Sequence, residues 1–219
     1  PWDTFDRIME MSEALGVASA FYFITHWTNF ARDFAYVFNT PKTRALIKRI
    51  SERGHEIGLH ASYDAYLDGQ QIAREFKTLR RVCDSIGVTQ ERWGGRHHFL
   101  RWRTPETLQH WDDAGLDYDS TLGFADAAGF RCGTCREFPT FNLKTGKMLR
   151  VRERPLIAMD GSVMDDYGQN LGATPAALER FQELKETCRY YNGEFTVLWH
   201  NNRLADPNEM SLYAALIGA

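Results

Sequence analysis

Apolar residues along this chain follow two alternating rhythms. Steps of three and four residues, which put side chains on one helix face, alternate with short, nearly continuous apolar runs typical of buried strands. The first helical stretch covers residues 3–15, with Asp3 or Thr4 as N-cap and Phe5, Ile8, Met9, Ala14 and Leu15 near helical spacing. VASAFYFI (17–24) then reads as a buried strand, and the aromatic-rich residues 25–40 as a loop. Pro41 opens a helix through Ala45, Leu46, Ile47 and Ile50, which Gly54 stops. Glu56-Ile57-Gly58-Leu59 is a brief strand that delivers His60 at its C-terminal end.

Further on, Ile72, Phe76, Leu79, Val82, Cys83 and Ile86 mark a strong helix that ends at Gly87. Residues 88–103 hold another short strand and a polar-aromatic cluster, RWGGRHHFLRW. Thr104 is expected to cap, and Pro105 to start, a helix that buries Leu108 and Trp111 and stops at Gly115. LDYDSTLGF (116–124), EFPTFNL (137–143) and PLIAMD (155–160) are strand candidates. Thr174-Pro175 opens a long helix through Leu178, Phe181, Leu184, Cys188 and Tyr191, ended by Gly193, and FTVLWH (195–200) is the last clear strand.

Helices alternating with such strands predict parallel βα units and an α/β fold. No internal repeat, low-complexity tract or linker interrupts them, so one domain over residues 1–219 is expected. The strand count falls short of a full (β/α) barrel, and the chain opens on a helix. The expectation is therefore a distorted, incomplete barrel that lacks its first strand and is truncated at both ends.

Composition narrows the function classes. A formal net charge of −3 gives no basic footprint for nucleic acid. No apolar run approaches the roughly 20 residues of a membrane span, and PWDTFDRIME is too acidic for a signal peptide. Cys83, Cys132, Cys135 and Cys188 include one isolated CxxC, which without a second pair is a weak zinc or redox signal. They read as unpaired structural thiols, which favours a reducing, cytoplasmic compartment.

Three clusters at strand ends carry candidate chemistry. In GHEIGLHASYD (54–64), His60 and Asp64 stand four residues apart, with Ser62 between. An imidazole and a carboxylate suit zinc or a similar divalent ion, and a hydrogen-bonded pair closing a loop is the plainer alternative. In GGRHHFLRW (94–102), Arg96, His97, His98 and Arg101 crowd one loop. An arginine there suits a carboxylate or a sugar hydroxyl, while a solvated basic loop over packed Phe99, Leu100 and Trp102 is the alternative. In FTVLWHNN (195–202), His200 at a buried strand's end suits general acid or base work, against a core histidine bonded to backbone. His26, His55 and His110 read as packing histidines.

GHEIGLH with LWH near the C-terminus resembles the polysaccharide deacetylases, carbohydrate esterase family four with its NodB-like homology domain. The resemblance covers most of the chain. The Arg-rich loop, GLDYDS (115–120) and the longer strings HASYD, RHHFLRW, YDSTLGF, GFRCGTC and LWHN are similar to a sub-branch associated with surface-polysaccharide loci. It implies a distorted (β/α) barrel that removes N-acetyl groups from amino sugars with a divalent metal, often zinc. Residue by residue, His60 matches the first metal histidine and His200 the late histidine that protonates the departing amine. Arg96 or Arg101 matches the arginine that orients the catalytic base; spacing does not separate them. His98, Trp199, Asp119 and Ser62 are the positions it would place near substrate. Two departures stand out: Asp64 occupies the position of the second metal histidine, and the family's aspartate pair, which precedes a helix such as 3–15, is absent from the chain. A catalytically degenerate carbohydrate-binding barrel and a metal-independent C–N hydrolase are the alternatives.

Overall fold

A computed structural model describes residues 3–33 and 37–218. Contacts divide the chain into two compact units. Pro1–Ser19, Leu122–Arg136 and Pro155–Ala219 form one; Ala20–Thr121 and Glu137–Arg154 form the other.

The second unit is built on a sheet of six strands among the described residues: β1 (Ala20–Phe23), β2 (Glu56–Ala61), β3 (Gly94–His97), β4 (Tyr118–Asp119), β5 (Phe138–Asn142) and β6 (Lys147–Glu153). Their order is β1-β2-β3-β4-β6-β5, parallel throughout except for the antiparallel β5–β6 hairpin. This is the mainly parallel βα succession of a partial (β/α) barrel. The register puts Phe23 beside Leu59, Leu59 beside Gly95, Gly95 beside Asp119 and Asp119 beside Glu153.

Three helices cover this sheet. In α2 (Pro41–Glu52) Pro41 sits in the first turn, the Thr40 side chain accepts from the Thr43 N–H, and Ile47 and Ile50 are buried. In α3 (Gly69–Ser85) Asp68 accepts from the Gln71 N–H, and Ile72, Phe76, Leu79, Val82 and Cys83 face inward. α4 (Glu106–Ala114) buries Leu108 and Trp111 and ends at Gly115, whose φ of +85° needs glycine. Its start differs from expectation. The Thr104–Pro105 peptide is cis and Pro105 occupies the N-cap position, so Thr104 does not cap. Thr107 Oγ1 instead accepts the Arg103 N–H at 2.9 Å.

The other unit contains α1 (Phe5–Ala14), β7 (Ala158–Met159), α5 (Asp160–Met164), α6 (Pro175–Tyr190), β8 (Val197–Leu198) and α7 (Pro207–Gly218). β7 and β8 pair in parallel. Val163, Phe181, Leu184, Cys188, Leu212 and Leu216 form its core. Thr4 stands at the start of α1, but its hydroxyl donates to the Asn201 carbonyl at 2.6 Å rather than capping the helix. Among the described residues, no helix is long and apolar enough to cross a membrane.

Candidate active site

The GHEIG motif is a packing device before it is a chemical one. A Cβ on Gly58 would lie 2.4 Å from the Tyr22 ring, and one on Gly94 would lie 2.4 Å from the Tyr118 ring. Glycine at these two positions lets the tyrosines lie across β2 and β3. Tyr118 donates to Glu56 and stands 3.1 Å from the Tyr22 hydroxyl, and Arg154 lies 3.8 Å over the Tyr118 ring.

His60 is delivered near the end of β2, beside Arg96 on β3. Its Nδ1 lies 2.9 Å from the Arg96 carbonyl. A carbonyl only accepts, so Nδ1 carries the proton and the neutral ring's lone pair sits on Nε2. His98 follows β3, and its ring centroid is 4.9 Å from that of His60, edge to face. Its Nδ1 lies 2.8 Å from Asp33 Oδ1, which fixes the same tautomer.

Asp33 is fully buried and organises the loop after β1. Oδ2 accepts the N–H groups of Thr28 and Asn29 at 2.9 and 3.0 Å, and Oδ1 accepts that of Tyr63 at 2.8 Å. Burial works to raise its pKa, but the bonds from His98 and these backbone groups outweigh it and hold the carboxyl below the ordinary range. The loop was expected, yet nothing in FARDFA distinguished this aspartate.

Asp64 is committed elsewhere. Arg101 Nη1 pairs with its Oδ1 at 2.6 Å, and Asn29 donates to its Oδ2 at 3.3 Å. Arg101 also donates to the Tyr63 carbonyl and the Tyr66 hydroxyl, and lies over both rings. Of the two arginines that spacing left open, Arg101 is therefore the one that meets a carboxylate through its guanidinium. Arg96 is buried, donating from Nε to the Ser120 carbonyl at 2.6 Å and from Nη2 to the Ser120 hydroxyl at 2.8 Å. Burial lowers its pKa.

Two residues expected near substrate lie inside the unit. Ser62 is fully buried, with its N–H and hydroxyl both donating to the Glu75 carboxylate. Gln71 donates to Glu75 at 2.7 Å, and Thr28 donates to the Ser62 hydroxyl at 3.1 Å. Burial drives the Glu75 pKa up to about 7. Asp119 is also fully buried; Thr121 donates to it, and it stands in register with buried Glu153. Burial raises its pKa to about 6. His97 turns away from His98, accepts the Trp111 indole N–H at 2.6 Å, and is pushed down to about 3 by burial.

In the other unit, His200 follows β8. Its Nδ1 lies 2.8 Å from Asp160 Oδ1, and its N–H donates to Asp160 Oδ2 at 2.5 Å. Asp160 is fully buried at the start of α5, while the His200 side chain is 51% exposed. Arg203 meets Asp160 Oδ2 at 3.1 Å and also pairs with Asp165 and Glu209. A carboxylate thus orients the ring and presents Nε2 for proton transfer. Asp160 had a readable signal: like His200, it ends a short apolar strand in the sequence. Trp199, beside His200, packs against Phe181 and Tyr213, with ring centroids 5.9 and 5.0 Å away.

A catalytic divalent ion takes about three protein ligands. Among the described residues no three His, Cys, Asp or Glu side chains converge as a metal-binding group. His60 and His98 offer two imidazoles, and the Asp64 carboxylate faces Arg101. These residues do not complete the metal site that the resemblance implies.

The fold is that of the polysaccharide deacetylases, the NodB-like fold. A protein described as a polysaccharide deacetylase from Mycobacterium smegmatis superposes with a TM-score of 0.70 at 18% identity, over 98% of this chain and 69% of that one. Another from Pseudomonas aeruginosa PAO1 gives 0.59 at 14% identity, over 98% of this chain and 65% of that one. Puue allantoinase gives 0.58 at 17% identity, over 97% and 64%. The chain thus spans about two thirds of the length of these proteins, and at such identities the likeness is one of fold. No family model and no curated protein matches the sequence.

Proposed function

We propose that the chain is a hydrolase that removes N-acetyl groups from the amino sugars of a polysaccharide or its precursor. The observation that carries this reading is a carboxylate-oriented imidazole, His200 on Asp160, within a deacetylase fold. Amide cleavage needs a proton for the departing amine, and a carboxylate-held histidine with Nε2 presented to solvent is suited to supply it. His200 has that role here, with Asp160 as its positioning residue. In the unit built on the six-stranded sheet, His60 and His98 meet edge to face and are the imidazoles a divalent ion would use there. Arg101 and Asp64 brace the loop beside them.

The test is release of acetate from N-acetylated oligosaccharides, followed by mass spectrometry, with zinc content measured on the same protein. Hydrolysis by the wild type and a loss of about 100-fold or more in His200→Ala support the reading. No acetate from neutral or acidic N-acetylated oligosaccharides, or an unimpaired His200→Ala, overturns it.

A further inference from the structure

The loop that places Asp33 also builds an outer surface. Asp33 is buried, and with Thr28 and Asn29 it pins the loop by hydrogen bonds to residues 62–64 and His98. Their neighbours point out: Trp27 is 53% exposed, Phe30 76% and Arg32 is exposed as well. Trp27 and Phe30 meet edge to face, 5.6 Å between centroids. From the adjacent segment Phe99 is 52% exposed and packs edge-on against Tyr63 at 5.2 Å. Phe99 and Leu100 have φ of 57° and 52°, a left-handed conformation that costs energy in non-glycine residues and tends to persist at ligand sites.

Arg32 sets the charge of this surface. Its guanidinium lies 5.5 Å from the Phe99 centroid and 5.9 Å from that of Tyr63. Among the described residues no carboxylate pairs with it, whereas the nearby Arg101 is neutralised by Asp64. Exposed aromatic rings offer flat apolar faces, and a guanidinium near the exposed Phe99 ring and the half-buried Tyr63 ring offers a planar fork for an anion. One uncompensated positive charge matches one carboxylate better than a diphosphate, which would call for several.

We propose that Trp27, Phe30, Phe99 and Arg32 form a subsite for an acidic sugar, with Arg32 pairing to its carboxylate beside the His60–His98 pair. In taking the ligand to be a glycan this rests on the proposed function; in the carboxylate it goes further.

Binding, measured by calorimetry, separates the two. The probes are a tetrasaccharide alternating N-acetylglucosamine with glucuronate, the same molecule with its carboxyls reduced to alcohols, and N-acetylglucosamine 1-phosphate. The acidic tetrasaccharide should bind about fivefold tighter than its reduced form, the scale of one exposed ion pair. Arg32→Ala should abolish that preference without weakening the reduced form, and Arg32→Lys should keep part of it. Phe30→Ala should weaken both. Equal binding of the acidic and reduced forms, a preference that survives Arg32→Ala, or tighter Arg32-dependent binding of the sugar phosphate overturns the proposal. An Arg32-dependent preference without acetate release supports this subsite while the hydrolase reading fails.

Discussion

At the scale of single residues, the most consequential side chain is Asp33, which has no polar neighbour motif to announce it. Its Oδ2 accepts the N–H pair of Thr28 and Asn29 together with the Thr28 hydroxyl, and its Oδ1 accepts the pair of Tyr63 N–H and His98. Asp33→Asn would turn an amide NH2 toward one of these donor pairs whichever way the side chain is placed. An unsatisfied buried donor costs about 1–3 kcal/mol. Chemical denaturation of Asp33→Asn should show a loss of that size, and activity should fall with the His98 orientation. Asp64→Asn, by contrast, weakens a half-exposed ion pair and at most one long, exposed bond from Asn29, and should cost about 1 kcal/mol or less in the same measurement. A result in which Asp64→Asn is the more damaging would contradict these assignments. His60 and His200 were legible from the sequence as strand-end imidazoles, but their anchors, the Arg96 carbonyl and Asp160, required the folded chain.

At the scale of elements, glycines decide where the sheet's tyrosines go. The cores of α2, α3, α4 and α6 follow the apolar spacing of the sequence, and Pro41, Gly87 and Gly115 punctuate them as read. What the spacing missed is also explicable. β6, KMLRVRE, alternates charged and apolar residues; its burial alternates too, with Leu149, Val151 and Glu153 inside. The strands expected at 116–124, 155–160 and 195–200 shrink to two-residue pairings, because apolar runs there pack as irregular backbone. The CxxC is not a unit either: Cys135 lies against Cys188 of α6 in the core, while Cys132 reaches the Leu122 carbonyl. Gly94→Ala tests the tyrosine packing. Its Cβ would fall 2.4 Å from a fully buried ring, so the strand or Tyr118 must shift. Overpacking of this kind costs about 1–3 kcal/mol. Thermal unfolding of Gly94→Ala at the wild-type midpoint would refute the account.

For the whole molecule, buried carboxyls set how stability depends on pH. The Glu75 pKa rises from 4.5 in the open chain to about 7 in the folded one, through burial. Between those values the native state holds a proton that the unfolded state has released, so stability falls as pH rises through this window. Above about 7 the cost of the buried charge is fully present; below about 4.5 it is absent. Asp33 acts in the opposite sense. Its folded pKa is depressed, so its contribution is present above the open-chain value and is lost as pH falls through the folded one. Glu75→Gln should flatten the slope of unfolding free energy between pH 4.5 and 7 while leaving the acid limb unchanged. An unaltered slope would place the titration elsewhere.

The sequence by itself determined the α/β succession, most helix boundaries and two of the histidines, because period, caps and strand-end position are local properties. Only the tertiary structure decided which side chains serve those histidines. It brought Asp33 to His98 across 65 positions and Asp160 to His200 across 40, and it turned Asp64 to Arg101. Buried acids go where unpaired N–H groups and imidazoles converge. That convergence arises from packing, and local residue patterns do not record it.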